Sequence, residues 1–252
     1  MSSFGSSLNV AIIGATGGIG QHFVQYFQQS TAVQKIWALG RTLPNKISDN
    51  EAFQEKCSWI TVDLENEETI DSAAKLIKGQ SKPLHIVIVA VGLLHDNEDI
   101  FPEKTWKTLN SDSFEKLFRT NTFGPALAAK HFLPLLSREK KSVFAALSAR
   151  VGSITDNKMG GWHSYRASKA ALNMLIKNFS IELSYRNPSA LCIGLHPGTV
   201  NTALSAPFQS NVPPTQLFHP SESVKKMVKV LNNLDSANTG NIYAWDGEKI
   251  PA

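Results

Sequence analysis

Residues 8–20 read LNVAIIGATGGIG, an apolar run that passes directly into a glycine-rich segment. The apolar run has the length and β-branched content of a buried strand, and the amphipathic run at about 18–29 has the period of a helix. Glycine between a strand and a helix lets the backbone turn tightly and approach a phosphate group at the helix N-terminus. The stretch therefore predicts a strand–turn–helix unit that can hold a nucleotide, with an ordinary tight turn as the alternative.

The rest of the chain repeats this alternation of short apolar runs and longer amphipathic ones. We predict seven strands, at Leu8–Gly14, Lys35–Gly40, Trp59–Asp63, Leu84–Gly92, Ser142–Ala149, Ala190–His196 and Asn241–Trp245. Helices are expected at about 18–29, 67–78, 112–137, 162–185 and 221–233, with a break in the third near Gly124-Pro125. This alternation predicts an α/β, Rossmann-type doubly wound fold, with a mainly parallel seven-stranded sheet and helices on both faces.

The chain length is typical of one domain around a single core, and no linker or internal repeat divides the 252 residues. We therefore expect residues 1–252 to form a single nucleotide-binding domain. Two segments, 93–110 and 199–220, are too irregular to assign to helix or strand. The second contains four prolines, Pro207, Pro213, Pro214 and Pro220. It is predicted to be a substrate lid, because long loops in compact domains are often functional.

The composition excludes several classes of protein. Hydrophobic residues make up 42% and charged residues 18%, which is typical of a folded chain. The net charge of +4 is mild, and no basic stripe indicates a nucleic-acid partner, although this balance suits a polyanionic small molecule. The two cysteines, Cys57 and Cys192, form no metal-binding pattern with histidine, so we predict no metal site.

No membrane segment or leader is predicted. The longest apolar stretch, IVIVAVGLL, has nine residues, about half of what spans a bilayer. The start of the chain, MSSFGSSLNVAIIG, lacks the basic region of a signal peptide. The sequence therefore predicts a cytoplasmic protein with no membrane partner.

The spacing Gly14-x-x-x-Gly18-x-Gly20 is followed by no Gly-Lys-Ser/Thr, which excludes a P-loop. The second strand then indicates the kind of nucleotide. A site for NAD usually has an acid about 20 residues further on, bonded to the ribose 2′-hydroxyl. The stretch KIWALGRTL contains no acid, and Arg41 stands 21 residues after Gly20. A guanidinium there favours the 2′-phosphate of NADP(H) over NAD(H), and a solvated surface arginine is the alternative.

A second signal lies at residues 164–175, SYRASKAALNML. The helical period places Tyr165 and Lys169 on the same inward face as Leu172, although lysine is almost never buried without a partner. A phenol with its ordinary pKa of about 10 is a poor base at neutral pH, and a nearby ammonium lowers that pKa. We predict that Lys169 lowers the pKa of Tyr165, which can then exchange a proton with a carbonyl oxygen. Tyr-x-x-x-Lys by itself also occurs in helices by chance.

Two polar residues upstream fit the same chemistry. Ser148 ends the strand VFAALSA, where its hydroxyl can hydrogen-bond an oxygen on which charge develops. Asn121, in RTNTFGP, stands where an amide can interrupt a helix and hold a water near Lys169. Taken singly, each is better explained as a cap or a polar core residue.

The order Asn121, Ser148, Tyr165, Lys169 after the glycine-rich turn resembles the tetrad of the short-chain dehydrogenase/reductase family, and HPGTVNT resembles that family's Pro-Gly-x-Val-x-Thr segment. The resemblance covers essentially the whole chain. It implies contacts to a nicotinamide cofactor from Gly14, Thr16, Gly17, Gly18, Ile19, Gly20, Arg41, Asp63, Leu64, Gly92, Asn121, Tyr165, Lys169, Pro197, Gly198, Val200 and Thr202. Asp63 is implied to contact the adenine, and an acid at a helix start is the alternative for that residue.

The ending GNIYAWDGEKIP, with ARVGSI after the serine, is most similar to the carbonyl-reductase-like branch that contains sniffer and C-factor-type proteins. Two features depart from the family pattern. Many relatives have Asn-Asn-Ala-Gly after the fourth strand, and the stretch at 89–92, VAVG, keeps only the glycine. The 17-residue gap from Ser148 to Tyr165 is longer than expected, so the inserted turn ITDNKMGGWH is predicted to reshape the substrate mouth. His163, in this turn, is a surface histidine or a second proton donor.

The predicted function is NADPH-dependent reduction of a ketone or aldehyde to an alcohol. Tyr165 protonates the oxygen, Ser148 stabilises it, Lys169 also binds the ribose, and Asn121 supports a proton relay through water. The substrate is a small carbonyl compound of unknown identity. It is expected to meet an apolar pocket formed by Leu94, Val151, Trp162, Leu204 and Phe208.

Other functions remain open from the sequence. The chain can be a signalling or regulatory protein that keeps the nucleotide site as a sensor, with little or no turnover. A sugar-nucleotide epimerase or dehydratase would need a substantial C-terminal domain, and the 50 residues after Thr202 are too few. The family resemblance implies a homodimer or homotetramer, often through the helices at 112–137 and 162–185.

Overall fold

The computed structural model describes residues 1–43, 51–80, 82–96 and 98–252. The strands in this part of the chain are β1 (Leu8–Ile13), β2 (Val33–Gly40), β3 (Cys57–Thr61), β4 (Ile86–Val89), β5 (Ser142–Leu147), β6 (Ala190–His196), β7 (Thr199–Val200), β8 (Leu217–Phe218), β9 (Ile242–Ala244) and β10 (Lys249–Ile250). The helices are α1 (Gly20–Gln29), α2 (Glu51–Lys56), α3 (Glu67–Gly79), α4 (Ser111–Phe118), α5 (Gly124–Phe132), α6 (His163–Arg186) and α7 (Pro220–Asn233). None of the helices in the described residues has the length and apolar composition needed to cross a membrane.

The main sheet has the strand order β10-β9-β6-β5-β4-β1-β2-β3. Neighbouring strands are parallel, except that β10 runs antiparallel to β9. Strand β1 lies in the middle, with Val10 opposite Ile36 of β2 and Ile86 of β4. The chain builds outward from β1 to β3 on one side and from β4 on the other. A crevice therefore opens between the carboxyl ends of β1 and β4, where this kind of sheet binds ligands.

The side chains of β1 alternate between two hydrophobic cores. Val10 and Ile12 belong to the core that contains residues of α1 and α7, whereas Ala11 and Ile13 belong to the core that contains residues of α3, α5 and α6. All of β1 is buried, which explains why every residue of the strand except Asn9 is apolar. The predicted doubly wound, mainly parallel sheet with helices on both faces is confirmed.

The number of strands predicted for this sheet is wrong, because it contains eight strands rather than seven. The additional strand is β10, in which Ile250 lies opposite Ile242. A strand of two residues is too short to show the alternation by which strands are recognised in a sequence. All seven predicted strands form, although the one predicted at Leu84–Gly92 shortens to β4.

The helix predicted at 112–137 is interrupted. A π-helical turn, Arg119–Phe123, follows α4 and leads into α5, which has proline in its first turn. Proline has no N–H to donate and is tolerated only at such a start, so the break predicted near Gly124-Pro125 is confirmed. Gly124 also allows a close approach, because a Cβ there would lie 2.9 Å from the Leu64 Cβ.

The segment 199–220 contains little regular structure. Strands β7 and β8 pair in parallel over two residues each, and two 3₁₀ turns, Ala206–Phe208 and Pro214–Gln216, lie between them in the chain. The side chain of His219 then accepts a hydrogen bond from the Ser221 N–H, which caps the start of α7. The start of the segment is thus fixed by the pairing of β7 with β8, and its end by the cap of α7.

Candidate active site

The glycine-rich turn lies at the crevice, between β1 and α1. A Cβ on Gly20 would lie 1.9 Å from the carbonyl oxygen of Gly14, and a Cβ on Gly14 would lie 2.8 Å from the carbonyl oxygen of Ala90. Gly14 also has a φ of +84°, a conformation that favours glycine. Only glycine lets this turn fold back so closely and bring the start of α1 to the crevice.

The turn presents unpaired backbone donors. Thr16, Gly17 and Gly18 are exposed, and α1 has no side-chain cap at its N-terminus. Among the described residues, no protein acceptor meets the backbone N–H of Gly18 or Ile19. Unpaired N–H groups and the helix dipole both attract negative charge. The turn therefore fits the pyrophosphate of a dinucleotide.

The end of β2 touches this turn. A Cβ on Gly40 would lie 3.1 Å from the Thr16 Oγ1. Arg41 follows directly and is exposed, and its guanidinium forms no ion pair within the part of the chain that the structure describes. The guanidinium is therefore available to a ligand that reaches past Thr16.

Asp63 and Leu64, after β3, have structural roles. The Asp63 Oδ1 accepts a hydrogen bond of 3.0 Å from the Glu65 N–H, in the turn before α3. This contact agrees with the alternative given for Asp63 in the sequence analysis, an acid at the start of a helix. A contact of Asp63 with adenine stays a prediction. Leu64 is buried against Gly124.

The segment after β6 contains four predicted contacts, Pro197, Gly198, Val200 and Thr202. It meets the glycine-rich turn, because a Cβ on Gly18 would lie 2.7 Å from the Thr202 Cγ2. Gly198 has a φ of +78°, and a Cβ there would lie 2.7 Å from the Phe218 ring. The carbonyl of Pro197 accepts a hydrogen bond of 2.7 Å from the Ser223 hydroxyl of α7. The segment is thus held in a fixed position across the crevice from α1.

Three of the four predicted catalytic residues meet where β5 ends and α6 begins. Ser148 follows β5, Tyr165 lies in the first turn of α6, and Lys169 lies one turn further. Their exposed fractions are 4%, 8% and 2%. The Lys169 Nζ lies 5.9 Å from the centroid of the Tyr165 ring and donates a hydrogen bond of 2.9 Å to the carbonyl of Leu147. The inward lysine therefore has a polar partner next to Ser148.

The predicted direction of the Tyr165 pKa is wrong. Burial raises the pKa of Tyr165 to about 12, and burial lowers the pKa of Lys169 to about 8. Removal from water penalises the phenolate and the ammonium alike, and the lysine already directs its charge at the Leu147 carbonyl. Tyr165 is therefore a protonated phenol at neutral pH, which is the form that can donate a proton.

Asn121 lies in the π-helical turn and is fully buried. Its Oδ1 accepts a hydrogen bond of 2.8 Å from the Leu93 N–H, and its Nδ2 donates to the Leu93 carbonyl and to the Ser168 hydroxyl, at 2.8 and 3.1 Å. Gly92 completes the contact, because a Cβ there would lie 3.6 Å from the Lys169 Nζ and 3.7 Å from the Asn121 Oδ1. The amide thus fastens the segment after β4 to α6, and a role in holding water stays a prediction.

A polar partner of Ser148 was missed by the sequence analysis. The Ser148 hydroxyl donates a hydrogen bond of 2.6 Å to the Oδ1 of Asn173, on α6. The helical spacing of Tyr165, Lys169 and Asn173, four residues apart each time, is the signal that would have found it.

Glu103 is a second missed residue, because segment 93–110 has no pattern that identifies it. Its carboxylate is 4% exposed and accepts hydrogen bonds from the hydroxyl and the N–H of Ser164, and its carbonyl accepts one from the Trp162 N–H. Trp162 has a φ of +52° and follows Gly160 and Gly161, which have φ values of +65° and +67°. Glu103 therefore holds the start of α6 at an unusual turn directly before Tyr165.

The five residues predicted to line an apolar pocket all pack in one cluster with Tyr165: Leu94, Val151, Trp162, Leu204 and Phe208. The Trp162 ring centroid lies 5.0 Å from that of Phe208 and 6.3 Å from that of Tyr165. His95 adds an edge-on contact to Phe208 at 5.6 Å and hydrogen-bonds the Leu204 carbonyl at 3.1 Å. Aromatic rings therefore extend from Tyr165 to segment 199–220. His163 is half-buried at the start of α6, and a proton-donor role for it stays a prediction.

A dinucleotide crevice that ends at a buried tyrosine, lysine and serine defines a class of enzyme. The family model described as short chain dehydrogenase matches residues 8–213. The chain belongs to this family and is an NAD(P)-dependent oxidoreductase.

Relatives support the same branch that the sequence indicates. The C-signal of Myxococcus xanthus is 30% identical over 149 residues, which are 58% of this chain and 84% of that protein. An NADPH-bound carbonyl reductase from chicken fatty liver is 26% identical with a TM-score of 0.80, and the match covers 98% of this chain and 100% of that one. The carbonyl reductase Sniffer of D. melanogaster has a TM-score of 0.81 over the same shares, and its 21% identity is evidence for the fold alone.

Proposed function

We propose that this chain is an NADPH-dependent carbonyl reductase, which converts a ketone or aldehyde to an alcohol. The observation that carries the proposal is a buried phenol, Tyr165, in an apolar aromatic cluster, with the Lys169 Nζ 5.9 Å from its ring centroid and hydrogen-bonded to the residue before Ser148. A protonated phenol is suited to giving a proton to a carbonyl oxygen rather than to taking one. An apolar surround suits a neutral carbonyl compound and excludes water from it.

Each catalytic side chain has a distinct task. When bound, the nicotinamide supplies hydride to the carbonyl carbon. Tyr165 donates its proton to the carbonyl oxygen, and Ser148 donates a hydrogen bond to the same oxygen as charge develops. The Lys169 ammonium offsets the negative charge left on Tyr165 and binds the ribose. Asn121 fixes the segment after β4 against α6, and supports a proton relay through water.

The preference for NADP(H) rests on the exposed Arg41, which directly follows Gly40 at the glycine-rich turn, and on the absence of an acid in the stretch KIWALGRTL. Replacing Arg41 with Ala is expected to weaken NADPH binding about tenfold and to leave NADH binding unchanged, because only NADPH has the 2′-phosphate. Titration calorimetry with both nucleotides measures this. Arg138→Ala, at another exposed arginine, is the control, and an equal loss for both nucleotides would contradict the preference.

The decisive test of the activity is Tyr165→Phe. Without the phenolic proton, kcat is expected to fall about 1,000-fold, while NADPH affinity changes less than about twofold. Tyr185 lies on the same helix and is 85% exposed, so Tyr185→Phe is the matched control. NADPH oxidation at 340 nm with ketones, aldehydes and quinones supplies the readout. Wild-type turnover by the Tyr165→Phe variant would disprove the mechanism.

A signalling role is the second candidate, favoured by the similarity to a protein named C-signal. A nucleotide sensor needs the glycine-rich turn but does not need Ser148 and Tyr165. Tight NADPH binding without oxidation across the whole carbonyl panel would favour the sensor over the reductase.

The remaining expectations concern organisation. We expect residues 1–252 to act as one domain in the cytoplasm, with 199–220 as a lid over the substrate. Helix α6 exposes Met174, Ile181 and Tyr185 at 62%, 48% and 85%, at spacings that place them on one face. This face supports a homodimer or homotetramer, and light scattering after size exclusion would give the mass. A monomer at micromolar concentration would contradict the assembly.

A further inference from the structure

The direction of the Ser148 hydroxyl depends on one side chain. The Ser148 Oγ lies 2.6 Å from the Oδ1 of Asn173, and Ser148 is the donor. Among the residues that the structure describes, the Asn173 amide has no further hydrogen-bond partner. Ser148 is only 4% exposed, so water does not compete freely for its hydrogen. Whatever sets the orientation of this amide therefore also sets the orientation of the hydroxyl.

The orientation decides what Ser148 can do. A hydroxyl has a single hydrogen, and when Asn173 accepts it, Ser148 presents only lone pairs elsewhere. Lone pairs repel the negative charge that develops on a carbonyl oxygen during reduction, whereas a hydrogen-bond donor stabilises it. Ser148 therefore cannot donate the same hydrogen both to the carbonyl oxygen of a substrate and to the Asn173 Oδ1.

The amide of Asn173 offers a simple solution. Its oxygen and nitrogen ends have nearly the same shape, so half a turn about the last side-chain bond places Nδ2 where Oδ1 was without a steric penalty. In that orientation the amide donates to a lone pair of the Ser148 Oγ. The hydrogen of Ser148 is then free to point at the substrate.

We propose that Asn173 is a positioning residue, whose NH₂ group donates to the Ser148 Oγ while Ser148 donates to the substrate oxygen. The inference rests on the proposed carbonyl reduction and adds a residue to it. Tyr165, Lys169 and Asn173 follow one another at four-residue spacing, so they lie along one face of α6. One helix thus supplies the proton donor, the ammonium and the group that orients the serine.

Asn173→Asp tests the proposal with almost no change of shape. An ionised carboxylate accepts the Ser148 hydrogen strongly but cannot donate, so it holds that hydrogen away from the substrate. We expect kcat to fall about 100-fold, to nearly the level of Ser148→Ala, with an unchanged NADPH affinity. Activity of this variant should recover as the pH falls and the carboxyl takes a proton, because the protonated acid can donate again.

Asn173→Ala separates orientation from packing. It releases the hydroxyl instead of fixing it in the wrong direction, so we expect a loss of only about tenfold in kcat. If Asn173 had a purely structural role, Asn173→Ala would lose more activity than Asn173→Asp, because alanine leaves a cavity and aspartate does not. An alanine variant that is less active than the aspartate variant at neutral pH would overturn the proposal.

A double-mutant cycle shows whether Asn173 acts through Ser148. In the Ser148→Ala background, Asn173→Asp should lower kcat less than about threefold, since there is no hydroxyl left to orient. A full 100-fold loss in that background would mean that the new charge acts directly on Tyr165, and would overturn the proposal. Asn178→Asp, at an exposed position of α6, controls for the added charge.

A measurement that needs no turnover keeps this inference separate from the proposed function. If the wild type reduces no carbonyl compound, the proposed function fails, and NMR of the NADPH complex still tests the contact. The side-chain NH₂ signals of Asn173 are those that disappear in Asn173→Asp. In Ser148→Ala, these signals are expected to shift and to exchange faster with water. Signals that do not change would overturn the role of Asn173.

Discussion

The two ends of the crevice differ in their exposure to water: one presents exposed backbone N–H groups, and the other consists of buried side chains. At the glycine-rich end, the unpaired backbone N–H groups and the Arg41 side chain are exposed, and water screens their charge. At the other end, Tyr165 and Lys169 are almost fully buried, and removal from water raises the pKa of Tyr165 and lowers the pKa of Lys169. The first end therefore depends on how closely the backbone can turn. The second depends on which polar groups are removed from water.

The largest effect is expected where the backbone has no room. Gly20→Ala would place a methyl carbon 1.9 Å from the Gly14 carbonyl oxygen, so the turn or α1 must move. We expect the free energy of unfolding to fall by about 3 kcal/mol or more, as for other substitutions that force backbone strain. Urea denaturation measures the change.

Gly79→Ala is the matched control, because nothing lies within 4 Å of a Cβ at the end of α3. Alanine should raise stability there by up to about 1 kcal/mol, since it restricts the unfolded chain. If the two variants were equally stable, close packing would not be what requires glycine in the turn.

The buried end is tested by the pH dependence of stability. The folded-state pKa of Lys169 is about 8, below its ordinary value of 10.5, so between these values the unfolded chain binds more protons and stability rises with pH. In Lys169→Met, the rise in unfolding free energy between pH 8 and pH 10 should be smaller by about 2 kcal/mol. Urea unfolding at a series of pH values measures it. Tyr165, with its raised pKa, lowers stability only above pH 10, outside this window.

Lys177→Met provides the comparison on the same helix, at an exposed lysine. It should keep the wild-type dependence on pH. If the unfolding free energy of Lys169→Met depended on pH as that of the wild type does, Lys169 would not be desolvated. The two ends of the crevice would then not differ in how far their charged groups are removed from water.

The smallest effect is expected in the apolar cluster around Tyr165, which includes Trp162 and Phe208. Phe208→Ala removes the ring that packs on Trp162 at 5.0 Å and should lower kcat/KM for an aryl ketone about tenfold, or about 1.4 kcal/mol. Phe101→Ala, at a side chain that is 57% exposed, serves as the control. If kcat/KM fell as much for short aliphatic ketones as for aryl ketones, the Phe208 ring would act by stabilising the fold rather than by contact with the substrate.

The sequence predicts the glycine-rich end well because its signal is local. The strand, the turn and the helix of residues 8–29 are adjacent in the chain, and glycine itself reports the close approach. The same holds for Tyr165 and Lys169, whose helical spacing puts them on one face. Strand β10 was missed because two residues have no period.

The contacts that cross the fold were not predictable from one sequence. Glu103 reaches the start of α6 from an irregular segment, and Asn173 reaches Ser148 from another element. The direction of the Tyr165 pKa depends on how completely its environment excludes water, which no local pattern encodes. The π-helical turn at Asn121 was indicated only by the nearby Gly124-Pro125, which marks a break but not its form.

The contacts of Glu103 and Asn121 also have a consequence for the order of folding. Glu103 and Ser164 are separated by 61 residues and Asn121 and Ser168 by 47, whereas the glycine-rich turn closes between Gly14 and Gly17. Closing long loops costs entropy and slows folding. During synthesis the glycine-rich turn can therefore close while α6 is still missing, although the contact of Gly18 with Thr202 must form later. We expect stopped-flow fluorescence of Trp162, which lies at that joint, to report one of the last steps of refolding.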